Sequence, residues 1–494
     1  MKITFLGGAD EVGASCLLVE IAGKRLLVDA GIRISPKSSR GLQASQLPDL
    51  QPVSALGGPD FIVVTHAHTD HTGALPLVVE RYPQVPVLMT RPTQVLTRVL
   101  QQDAQRIMQS RQEEEGELPL FDQVAVDLLM DAVQEVEFNQ PIRLGEDLEL
   151  TYYIAGHIAG AGQLVLQSSE GTLVISGDVS KSPQRTVGSV QVPPVRADAL
   201  ILESTYGGRM HANRDAEEKR LIERLARVIE RGGRALIPAF ALGRAQEVLQ
   251  ILLAYRDQVN APVYVDGMVR SVCNAYAAFP DLIPPATLKA AGNDPLFFRR
   301  NIKSIRSAQE RSEIAMSAEP CIIVASSGML TGGASQFYAR HLAPDERSAI
   351  LLTGYQDEES PGRAMQKILR ERQAGEEATL RLDKDVVPLR CEVDTYSLSA
   401  HADEQELVNL ALALQPSEVM LVHGDAGARH SLASALRRRQ IGVSQPSIGT
   451  QRELHFAARP WAVGRKISSG SARDLPDPEK LWEAFKDQAG SYFS

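Results

Sequence analysis

The segment Phe61-Ile62-Val63-Val64-Thr65-His66-Ala67-His68-Thr69-Asp70-His71 limits what this chain can fold into more than any other stretch. Four apolar residues, enough for a short buried strand, run straight into three histidines and an aspartate. Alternate residues of an extended chain share a side, so His66 and His68 point together. Asp70 and His71 then stand at the turn into the next helix and face a second position. Imidazole nitrogen and carboxylate oxygen are donors that divalent metals take. Three of the chain's ten histidines fall in this window, a density that core packing does not need.

Three histidines and one carboxylate cannot complete two four-coordinate sites, so other segments must supply ligands. His157 follows the run LELTYYI, within Ala155-Gly156-His157, where small neighbours let backbones approach closely. Asp178 follows TLVISG, and the two oxygens of an aspartate can bridge two ions. Asp29 ends the run RLLVD. Taken singly, each suits a strand-end turn. Their shared placement points to a site, because α/β folds collect ligands at strand ends.

A length of 494 residues suggests two to four domains. The first hundred residues alternate short apolar runs with turns. Residues 93–135 turn Gln- and Glu-rich at helical spacing, with Glu113, Glu114 and Glu115 on a solvated face. Strand-like runs then return as far as DALILESTYG. Residues 213–232 read as an amphipathic helix. Three strand–loop–helix units follow, built on RALIPAFALGRAQEVL, CIIVASSGMLTGGASQFY and SAILLTGYQDEESPGRAM. Such alternation predicts an α/β fold with a parallel sheet covered on both faces. The expected division is 1–207, an inserted domain at 208–390, a return at 391–460, and a linker with a short helix at 461–494. Four widely spaced cysteines read as free buried thiols. No apolar run reaches membrane-spanning length and no leader pattern is present, so a cytoplasmic protein without membrane contact is expected. The net charge of −9 argues against a broadly basic nucleic-acid binder. The insert carries 26 Lys+Arg against 23 Asp+Glu, or +3, which leaves −12 on the remainder.

THAHTDH, AGH and SGD, in this order, resemble the successive ligand motifs of the metallo-β-lactamase superfamily. The resemblance implies a four-layer αββα sandwich and two Zn2+ per chain. One zinc would sit on His66, His68 and His157, with Asp178 bridging to a second on Asp70 and His71. Asp29 would orient ligands without binding metal. Small-molecule hydrolases of the superfamily are usually shorter and lack an insert. Glu203-Ser204-Thr205-Tyr206-Gly207 before it, and Ser397-Leu398-Ser399-Ala400-His401-Ala402-Asp403 and Leu421-Val422-His423-Gly424-Asp425 after it, resemble the β-CASP nucleases. The likeness covers about residues 1–460. It lies nearest the branch that holds the endonuclease subunit of the mRNA cleavage and polyadenylation complex and its prokaryotic relatives. DNA-processing members usually carry valine where this chain has His423, so His423 would complete the second zinc and point to RNA. Gly156-His157-Ile158-Ala159-Gly160-Ala161 fits the cleavage-factor type rather than ribonuclease J.

The resemblance thus implies a zinc-dependent endonuclease of single-stranded RNA that leaves 5′-phosphate and 3′-hydroxyl ends, with 5′-to-3′ exonuclease action alongside and a homodimeric assembly. Asp70, Glu203 and His401 are the candidate catalytic residues. His401 would protonate the leaving oxygen and Glu203 would keep it protonated. Arg244, Arg363 and the Gly-rich loop with Ser327 and Gly328 precede helices and are the candidate RNA contacts. His211, His341, His430 and His455 lack motif context and read as structural. Two other functions compete. A silent scaffold would have lost ligands that this chain keeps, and a small-ester metallohydrolase would need neither the insert nor His401.

Overall fold

The computed structural model describes residues 1–33, 44–357, 359–371 and 378–457. The linker and helix expected at 461–494 lie outside the described residues. Two seven-stranded sheets and one six-stranded sheet form the frame. The first sheet runs Gln451–Glu453, Lys2–Gly7, Cys16–Ile21, Lys24–Val28, Phe61–Val63, Val87–Thr90, Val133–Val136. The second runs Gly442–Ser444, Glu418–Val422, Ala199–Glu203, Gly171–Ile175, Gly162–Ser168, Leu148–Ile154, Pro141–Gly145.

Alternation along each strand explains how these sheets stack. In Ala199–Glu203, Ala199 and Ile201 join a core shared with Ile3, Phe5, Val19 and Leu26 of the first sheet. Leu200 and Leu202 point the other way, toward Leu407, Leu410 and Leu432 of the helices Glu404–Leu414 and Ala426–Arg437. Similarly Leu26 and Val28 face the second sheet, while Leu27 packs outward with Leu75, Val78 and Leu129 of the helices Leu75–Arg81 and Gln123–Asp131. A period of two with both faces apolar requires cover on both sides, and the result is the expected αββα order.

The third sheet runs Ile302–Ser304, Val263–Asp266, Ile322–Ala325, Ala235–Pro238, Ala349–Leu352, Glu392–Thr395, and every pairing in it is parallel. The three strand–loop–helix units expected from sequence all lie here, with helices Arg244–Ala254, Gly333–Leu342 and Pro361–Glu371. Glu392–Thr395 pairs in register with Ala349–Leu352, so the boundary expected at 390 falls inside this sheet's territory. The residues 213–232 expected as a helix form one at Arg214–Glu230, with Asn213 capping its first turn. Glu113, Glu114 and Glu115 are exposed at the end of the helix Arg91–Glu115. All four cysteines are free and buried. No helix among the described residues is long and apolar enough to cross a membrane.

Candidate metal centre

Six strands of the two sandwich sheets end on one edge, and each delivers one part of the centre. Lys24–Val28 leads to Asp29, Phe61–Val63 to the His66–His71 loop, Leu148–Ile154 to His157, Gly171–Ile175 to Asp178, Ala199–Glu203 ends on Glu203, and Glu418–Val422 leads to His423. The parallel register sets Glu203 opposite Val422, one residue before His423. Asp29 and His423 hold φ of 59° and 50°, sparsely populated for non-glycine residues. The loops close tightly. A Cβ on Gly31 would lie 1.6 Å from the Asp70 carbonyl oxygen, and one on Gly156 would lie 2.4 Å from that of Ser180.

The ring nitrogens converge. His66 Nε2 and His157 Nε2 stand 3.2 and 3.0 Å from His68 Nδ1, and both approach Asp178 Oδ2, at 3.5 and 3.6 Å. Beside this group, His423 Nε2 is 3.2 Å from Asp70 Oδ2, and His71 Nε2 is 3.6 Å from Asp178 Oδ1. The opposite ring edges face acceptors. His157 Nδ1 donates to the Ala400 carbonyl at 2.7 Å, and His68 Nε2 faces that of Leu242 at 3.3 Å. His71 Nδ1 donates to Asp29 Oδ2 at 2.8 Å. His66 Nδ1 faces Thr65 Oγ1 at 3.1 Å, and that hydroxyl donates to Asp29 Oδ2. These acceptors hold the protons on the outer nitrogens, and for His66, His68 and His157, whose pKa values burial lowers, bare lone pairs turn inward.

Converging lone pairs repel one another unless a cation lies between them. Asp178 Oδ1 is buried without any hydrogen bond, although His423 Nδ1 stands 3.3 Å away. Burial and the neighbouring imidazoles push His66 and His157 well below the usual imidazole range, so both imidazoles are neutral. Burial opposes ionisation of Asp70 and Asp178, but the hydrogen bond from His423 to Asp70 and the charges of the surrounding histidines hold both below the usual carboxylate range. The donor set therefore fits divalent metal in two groups, His66, His68, His157 and Asp178, and Asp70, His71 and His423. Asp29 accepts from the Thr65 N–H and hydroxyl and from His71 Nδ1.

A third grouping joins Asp178, Glu203 and His401. Glu203 has little capacity left for metal. Its oxygens accept from Val179 N–H at 2.8 Å, and from His401 Nδ1 at 3.2 and 3.1 Å. Burial works against charge on His401, but Glu203 first, then Asp178 and Asp70, push its pKa up to about 9. His211, read from sequence as structural, braces this loop, with Nε2 2.9 Å from the His401 carbonyl.

One cavity is lined by His68, Asp70, His157, Asp178, His401 and His423, and by Arg244, Phe240, Leu242 and Tyr355. Of the expected RNA contacts, Arg244 alone lines this cavity. Ser327 bonds within its own loop to Thr331, Gly328 packs beneath Phe240, and Arg363 stands on the helix Pro361–Glu371 away from the lining. Thr65, Thr205, the Leu242 and Ala400 carbonyls and Tyr355 went unnoticed in the sequence. Thr205 Oγ1 stands 3.2 Å from His423 Nδ1. The threonine beside each motif was the available signal, whereas backbone carbonyls leave none.

Comparison with known proteins agrees with this geometry. Residues 9–238 match the metallo-beta-lactamase superfamily, 245–365 the Beta-Casp domain, and 386–446 the Zn-dependent metallo-hydrolase RNA specificity domain. The chain is 35% identical over 461 residues to transcription termination factor FttA of Pyrococcus abyssi, covering 90% of this chain and 69% of that protein. It is 30% identical to cleavage and polyadenylation specificity factor subunit 3 of Dictyostelium discoideum, over 95% of this chain and 59% of that one. Integrator complex subunit 11 of Gallus gallus is 30% identical over 86% of this chain and 69% of its own length. A crystal structure of a protein of unknown function from Enterococcus faecalis shares the fold, with TM-score 0.53 and 14% identity over 92% of this chain and 99% of that chain. The chain belongs to the metallo-β-lactamase superfamily, in its β-CASP branch.

Proposed function

We propose that this protein is a zinc-dependent endonuclease of single-stranded RNA that works with two Zn2+ per chain and leaves 5′-phosphate and 3′-hydroxyl ends. The observation that carries the reading is the Glu203–His401 pair set against the histidine cluster in one cavity. Hydrolysis of a phosphodiester needs charge neutralisation at the phosphoryl group and a proton for the leaving oxygen. An activated ester needs far less help with its leaving group. The match to an RNA specificity domain over residues 386–446, which carry His401 and His423, supports RNA as the substrate.

His66, His68, His157 and Asp178 would hold one ion, and Asp70, His71 and His423, with Asp178 shared, the other. When bound, such ions neutralise phosphoryl oxygens and make water acidic enough to attack at neutral pH. The protein's own groups do the rest. Asp29, Thr65 and the Leu242 and Ala400 carbonyls fix the imidazoles. His401, kept protonated by Glu203, delivers its proton to the leaving 3′-oxygen. The Ala400 carbonyl on His157 ties the ligand set to the proton donor next along the chain, so the two halves keep one alignment.

The test uses purified protein with end-labelled single-stranded RNA, single-stranded DNA and a panel of esters and thioesters, with and without chelator. Internal cleavage of RNA is expected, abolished by chelator and slowed by about a hundredfold or more in His401→Ala. Ester turnover that survives His401→Ala, without RNA cleavage, would sink the reading.

A further inference from the structure

Arg244 opens the helix Arg244–Ala254, and it is the only Lys or Arg that lines the cavity of the histidine cluster among the described residues. The lining also holds Phe240, Leu242, Met329 and Tyr355, and its three carboxylates are Asp70, Asp178 and Asp357. Arg244 is only 6% exposed, yet Nε and Nη1 have no hydrogen-bond partner. The buried carboxylate Glu247 attracts Arg244 electrostatically but shares no hydrogen bond with it, and it already accepts from Arg214 Nη2, from the N–H groups of Arg185 and Thr186, and from the Thr186 hydroxyl. A buried guanidinium with unanswered N–H groups lowers stability, and an anion entering the cavity would answer them.

The surroundings restrict the kind of anion. Phe240 borders the same cavity, with its ring close to Gly328 and Gly354. A Cβ on Gly328 would reach Phe240 Cδ2 at 3.0 Å, and one on Gly354 would reach Phe240 Cε2 at 3.4 Å. The two glycines thus leave room for the Phe240 ring at the edge of the cavity. Tyr355 follows at once and adds a second aromatic side chain to the lining. Inorganic phosphate or a simple carboxylate would use the guanidinium and leave the aromatic wall idle. A unit that carries both an anionic oxygen and a planar base would use both.

We propose that Arg244, Phe240 and Tyr355 form a nucleotide seat, in which the Arg244 fork binds a non-bridging phosphate oxygen of the strand being cut and the aromatic wall takes the adjoining base. The seat rests on the nuclease reading above and deepens it. Arg244 is the group that would convert a general metal-dependent hydrolase site into one that selects a phosphodiester, through the planar two-pronged geometry that lysine lacks.

The experiment compares Arg244→Met and Arg244→Lys with the unaltered holoenzyme. Methionine removes a buried unpaired charge at similar length, so its melting temperature is expected to stay level or rise while kcat/KM for RNA falls about a hundredfold. A packing role would lower both together. Binding is read separately in the His401→Ala background with a fluorescein-labelled eight-nucleotide single-stranded RNA, where Arg244→Met is expected to weaken affinity about tenfold or more. Tyr355→Ala is expected to weaken the same probe about fivefold or more through lost stacking. Arg244→Lys keeps the charge and the fold and still loses about tenfold in kcat/KM. A lower melting temperature with unchanged probe affinity overturns the seat, and so does wild-type kcat/KM in Arg244→Lys. An unchanged affinity in Tyr355→Ala overturns its aromatic half. If the unaltered protein cleaves no RNA while Arg244→Met still weakens the probe, the nuclease reading fails and the seat stands. If the unaltered protein cleaves RNA and Arg244→Met cleaves and binds equally well, the seat fails and the nuclease reading stands.

Discussion

Replacing Glu203 by glutamine keeps the shape of the side chain beside His401 and removes its charge. The carboxylate lies 3.1 Å from His401 Nδ1. Burial lowers the imidazole pKa, and Glu203, with Asp178 and Asp70 behind it, more than reverses this, from 6.5 to about 9. Bound cations would cancel the contributions of Asp178 and Asp70, but they leave that of Glu203, whose oxygens serve His401 and the backbone. Unit charges about 4 Å apart at an effective dielectric of 20 interact by roughly 4 kcal/mol, the equivalent of about three pK units. Without Glu203, burial prevails and His401 falls to 6.5 or below. At pH 7.5 a pKa of about 9 leaves roughly 97% of the imidazole protonated, and one of 6.5 leaves about a tenth. RNA cleavage by Glu203→Gln is therefore expected to drop about tenfold at pH 7.5 and to recover much of that loss near pH 6. The assay is kcat/KM on one labelled RNA from pH 5.5 to 9.5, with metal content and melting temperature matched between the two proteins. The basic limb is expected to move toward acid by at least about one unit. Superimposable limbs, or a loss of equal size at every pH, would refute the assignment of His401 as proton donor.

Mass spectrometry of metals on the protein as purified is expected to give about two Zn2+ per chain, and Asp178→Asn about one or fewer, because both ligand groups lean on that carboxylate. Gly156→Ala sets a Cβ 2.4 and 2.5 Å from the backbone of Ser180 and Val190 at a φ of +77°, so calorimetry should find a loss of about 3 kcal/mol together with weaker metal binding. Arg214→Met leaves Glu247 buried with only its backbone and hydroxyl donors, and urea unfolding should show about 3 kcal/mol less stability. Burial raises the Glu247 pKa, but Arg214, the Arg185 N–H, the charge of Arg244 and the Thr186 hydroxyl hold it below 4.5. The stability from this group is therefore complete above the unfolded value and is lost as pH falls through the lower folded one. The unfolding difference between Arg214→Met and the unaltered protein should accordingly shrink in acid, and a constant difference would disprove that account.

The residues that converge in the histidine cluster were legible because metal chemistry uses few residue types and α/β folds put them at strand ends, where an apolar run followed by His or Asp is visible in one dimension. The frame was legible for the same reason, since both faces of the central strands, such as Ala199–Glu203 and Ala235–Pro238, are buried and their runs are continuous. What stayed hidden is what the third dimension adds. The Leu242 and Ala400 carbonyls choose which ring nitrogen of His68 and His157 carries the proton, and every residue has such a carbonyl. The loop with Ser327 and Gly328 looked like an anion cradle because glycine before a helix often is one. Gly328 instead leaves room for Phe240, a requirement set by a residue 88 positions earlier. Arg363 and Arg244 stand in similar sequence contexts, and only the packing of the third sheet against the sandwich puts Arg244 into the cavity. The strands Val263–Asp266 and Ile302–Ser304 are four and three residues long, too short for any period to show.

The net charge of −9 looked like an argument against nucleic acid, and the cavity turns it into a measurable quantity. Binding through a broad basic surface neutralises many phosphates and releases their counterions, so affinity falls steeply with salt. Here the lining offers one arginine, and the rest of the attraction to phosphate would come from the metal ions. Each phosphate neutralised on a single strand contributes about −0.7 to the slope of log affinity against log salt. One to three such contacts predict a slope between about −1 and −2, so that raising salt from about 50 to 200 mM weakens binding by only about fourfold to sixteenfold. Titration of the His401→Ala holoenzyme with the eight-nucleotide RNA at four salt concentrations measures this directly. A slope steeper than about −4 would mean that the strand tracks a basic surface beyond the cavity, and the first segment to neutralise would be 297–311, with Arg299, Arg300, Lys303, Arg306 and Arg311. A shallow slope that survives neutralisation of that segment would confine recognition to the nucleotides held between Arg244 and the metal cluster.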